Sequence, residues 1–204
     1  MELVELDHRE SLYEPNEQIE NAYFPDRGLM SLVTVVQDGT SVEAAIVGNE
    51  GMVGTPLILG ASTSTTRAIC QVPGRAWRIG ADDLLRQVAL NSNLSLLLHR
   101  YTQTLFDMMA QTSACNSLHS IEERCARWLL LTRDRMDSDS FLLTQEFLAI
   151  MLGVRRAGVS KVAKTLQTAG LIDYKLGRIA ILDRPGLVEV SCECYAVVHG
   201  LLNK

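Results

Sequence analysis

The chain has 204 residues, of which 47% are hydrophobic and 21% are charged, and its formal net charge is −5. This length suffices for one or two domains with a real core, and the composition is typical of a soluble globular protein. The start of the chain lacks the basic and apolar runs of a secretion signal, and no segment approaches the ~20 apolar residues of a membrane span. A cytoplasmic location is therefore expected.

Residues 3–79 form short apolar runs separated by turn residues, such as Leu29–Val36 before Gln37-Asp38-Gly39. This spacing, with Asp-Gly as a hairpin signal, predicts an antiparallel barrel or jelly roll. The glycines at 48, 51 and 54 are interpreted as turn residues, because strands flank them and no Lys-Ser/Thr follows as in a phosphate-binding loop. A short helix is predicted over 81–88.

From Asn93 the pattern becomes helical. Seven residues recur at intervals of four and three, as in a coiled-coil seam: Leu94, Leu98, Tyr101, Leu105, Met108, Thr112 and Cys115. A second apolar side also permits packing on the chain's own β-roll: Leu96, Leu97, Phe106 and Met109. Two apolar sides suit a helix that packs on its own domain and on a partner, so the seam is expected to form a parallel homodimer.

The next predicted helix opens at Ser120, which can cap it, and Glu123 can complete a capping box. Its buried stripe is predicted to contain Ile121, Cys125, Trp128 and Leu129. A hinge is expected near residues 116–120, and a polar loop at 137–140.

Residues 143–170 predict two helices joined by a tight turn. Thr144 can cap the first helix, and Gly153 supplies the left-handed residue that ends it. The second helix has a buried stripe of Val159, Val162, Leu166 and Ala169, and ends at Gly170. Its other face carries Arg156, Ser160, Lys161 and Lys164.

Arg155 and Arg156 lie in the turn and at the start of the second helix, where the macrodipole disfavours basic side chains. Phosphate oxygens, or the O6/N7 edge of guanine in a major groove, would compensate the positive charge of these two side chains. Residues 171–182 predict a two-stranded wing with Lys175 and Arg178 at its tip. The order of helix, turn, helix and wing indicates a DNA-reading module rather than a solvated basic face.

Charge is concentrated in this module. Residues 150–184 contain seven basic and two acidic side chains, a net of +5, which leaves −10 for the rest of a chain of net charge −5. Polyanion binding is therefore expected at this module and not elsewhere.

Five cysteines are scattered through the chain, and their odd number predicts reduced thiols: Cys70, Cys115, Cys125, Cys192 and Cys194. Cys192, Cys194 and His199 could be metal ligands, but the CxC spacing lacks a distant second pair, so no metal and no cofactor are predicted. No carboxylate pair or Ser/Cys–His arrangement suggests a catalytic site, so no enzyme is expected.

Residues 185–204 are predicted to form one closing helix.

The module resembles the Crp/Fnr transcription regulators in four segments: Leu143-Thr144-Gln145-Glu146, Leu152 to Arg156, Val159-Ser160-Lys161-Val162 and Leu166 to Ile172. In such regulators the second helix enters the major groove. By position, the resemblance implies that Arg156 and Lys161 read bases and phosphates. It also places Thr144 and Gln145 on the DNA backbone and Ser160 on the groove face. The residue after the reading arginine, often acidic in the family, is Ala157, so the family's half-site does not carry over. The expected DNA-binding set is completed by Arg155, Lys164, Lys175 and Arg178.

The N-terminal half resembles the family's cyclic-nucleotide-binding β-roll at Tyr23-Phe24-Pro25 and Gly51-Met52-Val53-Gly54. Such binders have Gly-Glu just after this loop and an Arg-Ser/Thr-Ala run further on. Here Gly54 precedes Thr55-Pro56. With Ala68 aligned, Thr66 holds the arginine position, and Arg67 is one residue off and turned to the opposite face. Losing the arginine and its partner acid removes most charge-assisted recognition. The pocket is expected to bind an effector other than cyclic AMP or none, and its candidate residues are Gly54, Thr55, Thr66 and Arg67.

Two further family features are not expected. Iron–sulfur sensing members use clustered cysteines that include an N-terminal set, and no cysteine precedes Cys70. The family's short helix before the first strand is not expected either, since the chain begins almost in the strand.

The resemblance thus implies an α+β chain with a β-roll sensor domain (1–90), a dimerisation helix (91–118) and a winged helix-turn-helix DNA-binding domain (119–204). The implied function is a homodimeric regulator that binds a palindromic operator, with an effector acting through the packing of the dimer helices. The implied partners are double-stranded DNA, a second copy of the chain, RNA polymerase and an unknown small-molecule effector, and no membrane. The alternative is a small-molecule sensor or adaptor whose main partner is a protein.

Overall fold

A computed structural model describes residues 1–37, 39–136 and 138–202. Asp38 of the expected hairpin and Asp137 of the expected polar loop lie outside the described residues. The chain forms two compact units, unit 1 with residues 1–37 and 44–109 and unit 2 with residues 38–43 and 110–204. None of the helices in the described ranges combines the length and the apolar character needed to span a bilayer.

An antiparallel sheet forms the body of unit 1. Its strands are β1 (Glu2–Leu6), β2 (Ser11–Tyr13), β3 (Asn21–Val35), β4 (Ser41–Val47) and β5 (Thr66–Gly80). The order is β1-β5-β3-β4, and β5 pairs antiparallel with β1, β2 and β3. Alternate residues of β5 point to one face, so Ala68, Cys70 and Val72 are all buried. The antiparallel β-roll predicted from the short apolar runs is confirmed.

Three helices accompany the sheet. Gly54, with φ 105°, precedes a short helix α1 (Thr55–Ile58) that the sequence had not predicted. Helix α2 (Ala81–Leu90) follows β5 directly, and α3 (Ser92–Leu118) is a single helix that runs from unit 1 into unit 2. The ring of Tyr101 on α3 lies over Gly51, where an added Cβ would be 2.1 Å from the ring. Gly51 is therefore a packing residue as well as a turn residue.

The stripe of α3 that was expected to face a partner packs within its own chain. Leu98, Leu105, Met108 and Cys115 are buried in the single chain, and the other three seam residues are half-buried: Leu94, Tyr101 and Thr112. Leu98 and Leu105 belong to the hydrophobic core of the β-roll. Because this side of the helix covers the apolar face of the sheet, four of the seven seam residues pack within their own chain, and the dimer interface on this seam stays a prediction.

The opposite side of α3 is exposed along its whole length. We call it the outer stripe, and its residues recur at alternating intervals of three and four: Leu96, His99, Gln103, Phe106, Ala110, Ser113 and Ser117. Leu96 is 52% exposed and Phe106 is 66% exposed. The spacing is that of a heptad repeat, so the outer stripe can meet a second helix along one line.

Unit 2 begins its helical part with α4 (Ile121–Arg133), and the predicted capping box is present. Ser120 Oγ accepts a hydrogen bond from the Glu123 N–H at 3.3 Å, and Glu123 Oε2 accepts one from the Ser120 N–H at 2.8 Å. The chain continues with β6 (Ser140–Leu142), α5 (Gln145–Leu152), α6 (Arg156–Thr168), β7 (Ile172–Lys175) and β8 (Arg178–Ile181). It ends with α7 (Arg184–Val190) and α8 (Cys194–Leu202).

Two features of unit 2 differ from the prediction. The wing has three strands in the order β6-β8-β7, because Phe141 of β6 is buried and pairs with Ile179. The closing segment is two helices instead of one, since Ser191 has extended backbone angles and interrupts the helical run. The break leaves Cys192 and Cys194 at the start of α8.

Residues 39–43 belong to unit 2 through packing and a buried hydrogen bond. The indole Nε1 of Trp128 donates to Glu43 Oε1 at 2.8 Å, and both side chains are buried. Val42 lies over Gly153, where an added Cβ would be 2.9 Å from its Cγ2. This segment therefore packs against the end of α5 and against α4.

We predict that Leu105→Ala lowers the free energy of unfolding by about 2–5 kcal/mol, because it leaves a cavity in the β-roll core. Urea denaturation followed by circular dichroism measures this change. The control is Leu59→Ala, which removes a leucine that is 61% exposed in the same unit and should change stability by less than about 0.5 kcal/mol. Equal effects of the two substitutions would contradict the packing of α3.

Candidate nucleic-acid interface

The first helix of the helix-turn-helix is fixed at both ends by the predicted residues. Thr144 Oγ1 accepts a hydrogen bond from the Phe147 N–H at 3.1 Å. Gly153 ends the helix with φ 60°, a left-handed conformation that glycine adopts without strain. The turn into α6 is therefore short and sharply defined.

Helix α6 begins without a side-chain cap at Arg155, and both Arg155 and Arg156 are exposed. Its buried side consists of Val159, Val162, Ala163 and Leu166. Ala169, which was predicted to be buried, is exposed at the helix end, and Ala163 takes its place in the stripe. The other side presents the exposed side chains of Lys161 and Lys164.

The wing is anchored next to the start of α5. The Leu143 N–H donates to the Gly177 carbonyl at 2.7 Å, and the Tyr174 hydroxyl donates to the Leu143 carbonyl at 2.7 Å. Burial raises the pKa of Tyr174 to about 12, so this hydroxyl stays protonated and remains a donor at neutral pH. Leu176 and Gly177 both have positive φ, 52° and 72°, as in a two-residue hairpin turn of type I′.

The N-termini of both helices and the wing turn enclose one open cleft of about 520 Å³. Its lining residues are Thr144, Gln145, Glu146, Arg156, Tyr174, Leu176 and Gly177. Ser160 Oγ donates to Gln145 Oε1 at 2.6 Å, which orients the Gln145 amide across the two helices. Four side chains predicted to contact DNA, Thr144, Gln145, Arg156 and Ser160, therefore come together at this cleft or directly beside it.

Most basic groups of the module are available for an anion. Within the described ranges, no carboxylate lies within ion-pair distance of Arg155, Arg156, Lys161, Lys164 or Arg178. Lys175 pairs with Asp173 at 3.2 Å while remaining 73% exposed. Arg184 pairs with Asp134 at 3.0 Å and also donates to the Tyr195 hydroxyl, so it serves the packing of α7 and α8. Five basic side chains of one module, exposed and without carboxylate partners in the described part of the chain, raise the local positive potential.

The effector-pocket candidates lie in two places in unit 1. Gly54 and Thr55 start α1, and an added Cβ at Gly54 would be 3.2 Å from Ala22. Thr66 Oγ1 is 2.8 Å from Ser64 Oγ, while Arg67 Nε donates to Glu14 Oε2 at 2.7 Å. Arg67 is thus paired at the surface, whereas the adjacent Ala68 is fully buried. Among the described residues of unit 1, the buried polar side chains are those of Ser31, Thr55 and Gln71.

A different cavity in unit 1 has a volume of about 610 Å³. Its walls combine apolar and charged side chains from the sheet, α2 and the start of α3: Met1, Phe24, Ile79, Asp83, Leu84, Arg86, Gln87 and Leu94. Asp83 and Arg86 form an ion pair at its rim. None of the four candidate residues lines this cavity.

Sequence reasoning missed one group of side chains with metal-binding chemistry. Cys192 and Cys194 were set aside as metal ligands because no distant second pair was recognised. In unit 2 they lie beside Cys115 and His119, which are four residues apart at the end of α3, whereas His199 is not part of the group. The C-x3-H spacing on a helix was the available signal, but the single sequence does not show which loop a helix end will meet.

Comparison with known proteins gives a family for both halves. Residues 3–91 match the family described as cyclic nucleotide-binding domain, and residues 123–190 match the Crp-like helix-turn-helix domain. No curated protein sequence is similar enough to the chain to count as a relative.

Solved structures of the same fold cover nearly the whole chain. The FixK2 structure from Bradyrhizobium japonicum has a TM-score of 0.79 at 16% identity, over 94% of this chain and 97% of that one. A CRP family transcriptional regulator from Thermus thermophilus, TTHB099, has a TM-score of 0.77 at 19% identity, over 94% and 96%. CLP, a c-di-GMP responsive global regulator from Xanthomonas campestris, has a TM-score of 0.69 at 15% identity, over 89% and 94%.

The two matched domains occur in one chain, with the cyclic nucleotide-binding domain first, the long helix α3 next and the helix-turn-helix last. The chain therefore belongs to the Crp/Fnr family of transcription regulators.

Proposed function

We propose that the chain is a sequence-specific transcription regulator that binds a palindromic operator as a homodimer. The observation that carries the proposal is the set of basic side chains without carboxylate partners on α6 and the wing, beside the cleft at the helix N-termini. In a helix-turn-helix the N-terminal residues of the second helix contact base edges in the major groove. Arg156 starts α6 and lines the cleft, which supports the proposal that it makes this contact.

Phosphate contacts then position the module. Lys161 and Lys164 lie further along the exposed side of α6, and Lys175 and Arg178 flank the wing turn. Thr144 and Gln145 lie at the start of α5, where backbone N–H groups and side chains commonly contact phosphates. The proposed division is that Arg156 discriminates bases and the other groups fix the register on the duplex.

The outer stripe of α3 is the proposed dimer surface in place of the buried seam. Phe106 and Leu96 provide exposed apolar contacts, and the small side chains of Ala110, Ser113 and Ser117 permit two helices to approach closely. A two-fold axis along this stripe would give two α6 helices that read half-sites about 34–36 Å apart.

The effector site proposed in the β-roll is not one for cyclic AMP. Arg67 is paired with Glu14, and the described core of unit 1 holds no buried guanidinium for a cyclic phosphate. A CLP structure is described as that of a c-di-GMP responsive regulator, which supports effectors of other chemistry on this fold. The candidate residues are Gly54 and Thr55 at the start of α1 and Thr66 and Arg67 on β5, and an effector bound at either place would act on the outer stripe through the packing of α3.

The test of the operator is selection of bound sites from a random pool of duplex DNA by the purified full chain without added ligand. We expect enrichment of an inverted repeat with half-sites one helical turn apart, and affinity that falls steeply with salt because several phosphates are neutralised. An enriched single half-site would contradict the dimer. Salt-independent or absent DNA binding would favour the adaptor function instead.

Arg156→Ala should weaken binding to the selected operator by about 1–3 kcal/mol and relax the preference at one base pair of each half-site. Lys175→Ala should weaken binding to operator and random DNA alike and reduce the salt slope by about 1. Fluorescence anisotropy on matched and single-substituted duplexes measures both. The assignment of the roles fails if the two variants lose affinity in the same sequence-independent way.

Phe106→Glu should convert the dimer to a monomer, because it places a charge at the centre of the outer stripe. Sedimentation equilibrium should give the mass of one chain, and binding to the inverted repeat should fall at least ~10-fold, since one module alone makes half of the contacts. Asp107→Asn is the matched control, since Asp107 is next in sequence, half-buried and outside the outer stripe. A Phe106→Glu protein that remains dimeric would rule out this surface.

A further inference from the structure

Four side chains with metal-binding chemistry meet in unit 2: Cys115, His119, Cys192 and Cys194. Their ligand atoms all lie within 4.8 Å of one another. The three cysteines are buried, and the His119 side chain is 15% exposed. The DNA-binding surface uses none of these residues.

We propose that these four side chains bind one divalent, thiolate-preferring cation of the zinc class in a closed tetrahedral site of three cysteines and one histidine. The site belongs to unit 2 alone and does not depend on the proposed operator or dimer.

The distances fit a single ion. Cys115 Sγ is 3.5 Å from Cys192 Sγ, and Cys194 Sγ is 3.6 Å from His119 Nδ1. A tetrahedral zinc ion with Zn–S bonds of ~2.3 Å and Zn–N bonds of ~2.0 Å separates its ligand atoms by about 3.5–3.8 Å. The widest separation in the group exceeds this by about 1 Å, which small side-chain rotations close.

Each pair of ligands is held by local structure. Cys115 and His119 are one helical turn apart, and the His119 N–H still bonds to the Cys115 carbonyl at 3.1 Å, so both side chains leave the same side of α3. Cys192 and Cys194 lie on either side of Glu193 where α7 has ended and α8 begins. The break in the closing segment is what allows both sulfurs to face the end of α3.

The surroundings provide the hydrogen bonds that orient metal ligands. His119 Nε2 is 3.2 Å from Glu193 Oε1, while Nδ1 faces the sulfurs. A carboxylate on the second ring nitrogen fixes the tautomer that binds metal through the first. Gln111, one turn before Cys115, donates from Nε2 to Cys194 Sγ at 3.0 Å. Both contacts orient a ligand side chain of the proposed site.

Charge also favours an anionic site. Three thiolates and a divalent cation carry a net charge of −1. Burial raises the pKa of the Cys115 thiol, and Arg127 of α4 acts in the opposite direction, while Arg124 interacts electrostatically with Cys115 and Cys192. Both arginines are buried, and the Nε atom of each has no hydrogen-bond partner among the described residues. A buried guanidinium requires an anion nearby, and metal-bound thiolates supply one.

All four coordination positions are taken by side chains, so no open position is left for a substrate. Such closed sites stabilise structure instead of catalysing reactions. The ion would join residues that are distant in sequence, fastening the start of α8 to the end of α3 beside the Ser120 cap.

To test the proposal, the full chain is reduced, freed of metal and then titrated with Co²⁺. We expect one Co²⁺ per chain, with the near-ultraviolet charge-transfer bands of thiolate ligands and the intense visible bands of tetrahedral cobalt. Zn²⁺ should then displace the Co²⁺ and raise the midpoint of thermal unfolding. A reduced, folded protein without charge-transfer bands would overturn the proposal, and octahedral Co²⁺ spectra would do the same.

Variants separate this site from the other cysteines. Cys194→Ala should abolish the charge-transfer bands, whereas Cys125→Ala, which removes another buried sulfur from unit 2, should keep them. Glu193→Gln retains every ligand and should weaken Zn²⁺ binding by about 10–100-fold. Because Glu193 is 74% exposed, this variant should fold normally. Unchanged Zn²⁺ affinity in Glu193→Gln together with bands that persist in Cys194→Ala would contradict the assignment.

Discussion

The uninterrupted periodicity of α3 is the constraint on which both units depend. In an unbroken helix of 27 residues, side chains seven residues apart lie on the same side. The packing of one side therefore determines which residues lie on the opposite side. Leu98 and Leu105 cover the β-roll core, and one consequence is that the outer stripe remains exposed. Another is that the buried side reaches Cys115 near the end of the helix, where it meets the closing segment of the chain.

Local signals in the sequence predicted the DNA-binding half well. The Ser120 capping box, the Thr144 cap and the left-handed Gly153 each depend on hydrogen bonds or backbone angles within four residues. Such features depend on residues that are close in sequence, so they can be predicted from the sequence if the tertiary structure is compatible with them. The wing turn at Gly177 follows the same logic, and together they position the start of α6 and Arg156.

Predictions that required a choice between distant partners were less successful. Both sides of α3 carry apolar residues, and only the position of the sheet decides that Leu105 is buried and Phe106 exposed. Strand β6 is three residues long and exists because Phe141 pairs with Ile179, far along the chain. Cys115 and Cys192 meet across 77 positions in sequence, and spacing within either pair cannot predict such an encounter.

The hydrogen bond between Trp128 and Glu43 has a consequence for how the protein can be divided. Unit 2 is discontinuous in sequence, since it includes residues 39–43, at the start of β4, as well as the C-terminal part of the chain. A fragment that starts at residue 119 would lose Glu43 and Val42, leaving an indole N–H without its acceptor and an apolar surface beside Gly153 uncovered. Proteolysis between the domains would therefore release a DNA-binding half that is less stable than the same residues in the intact chain.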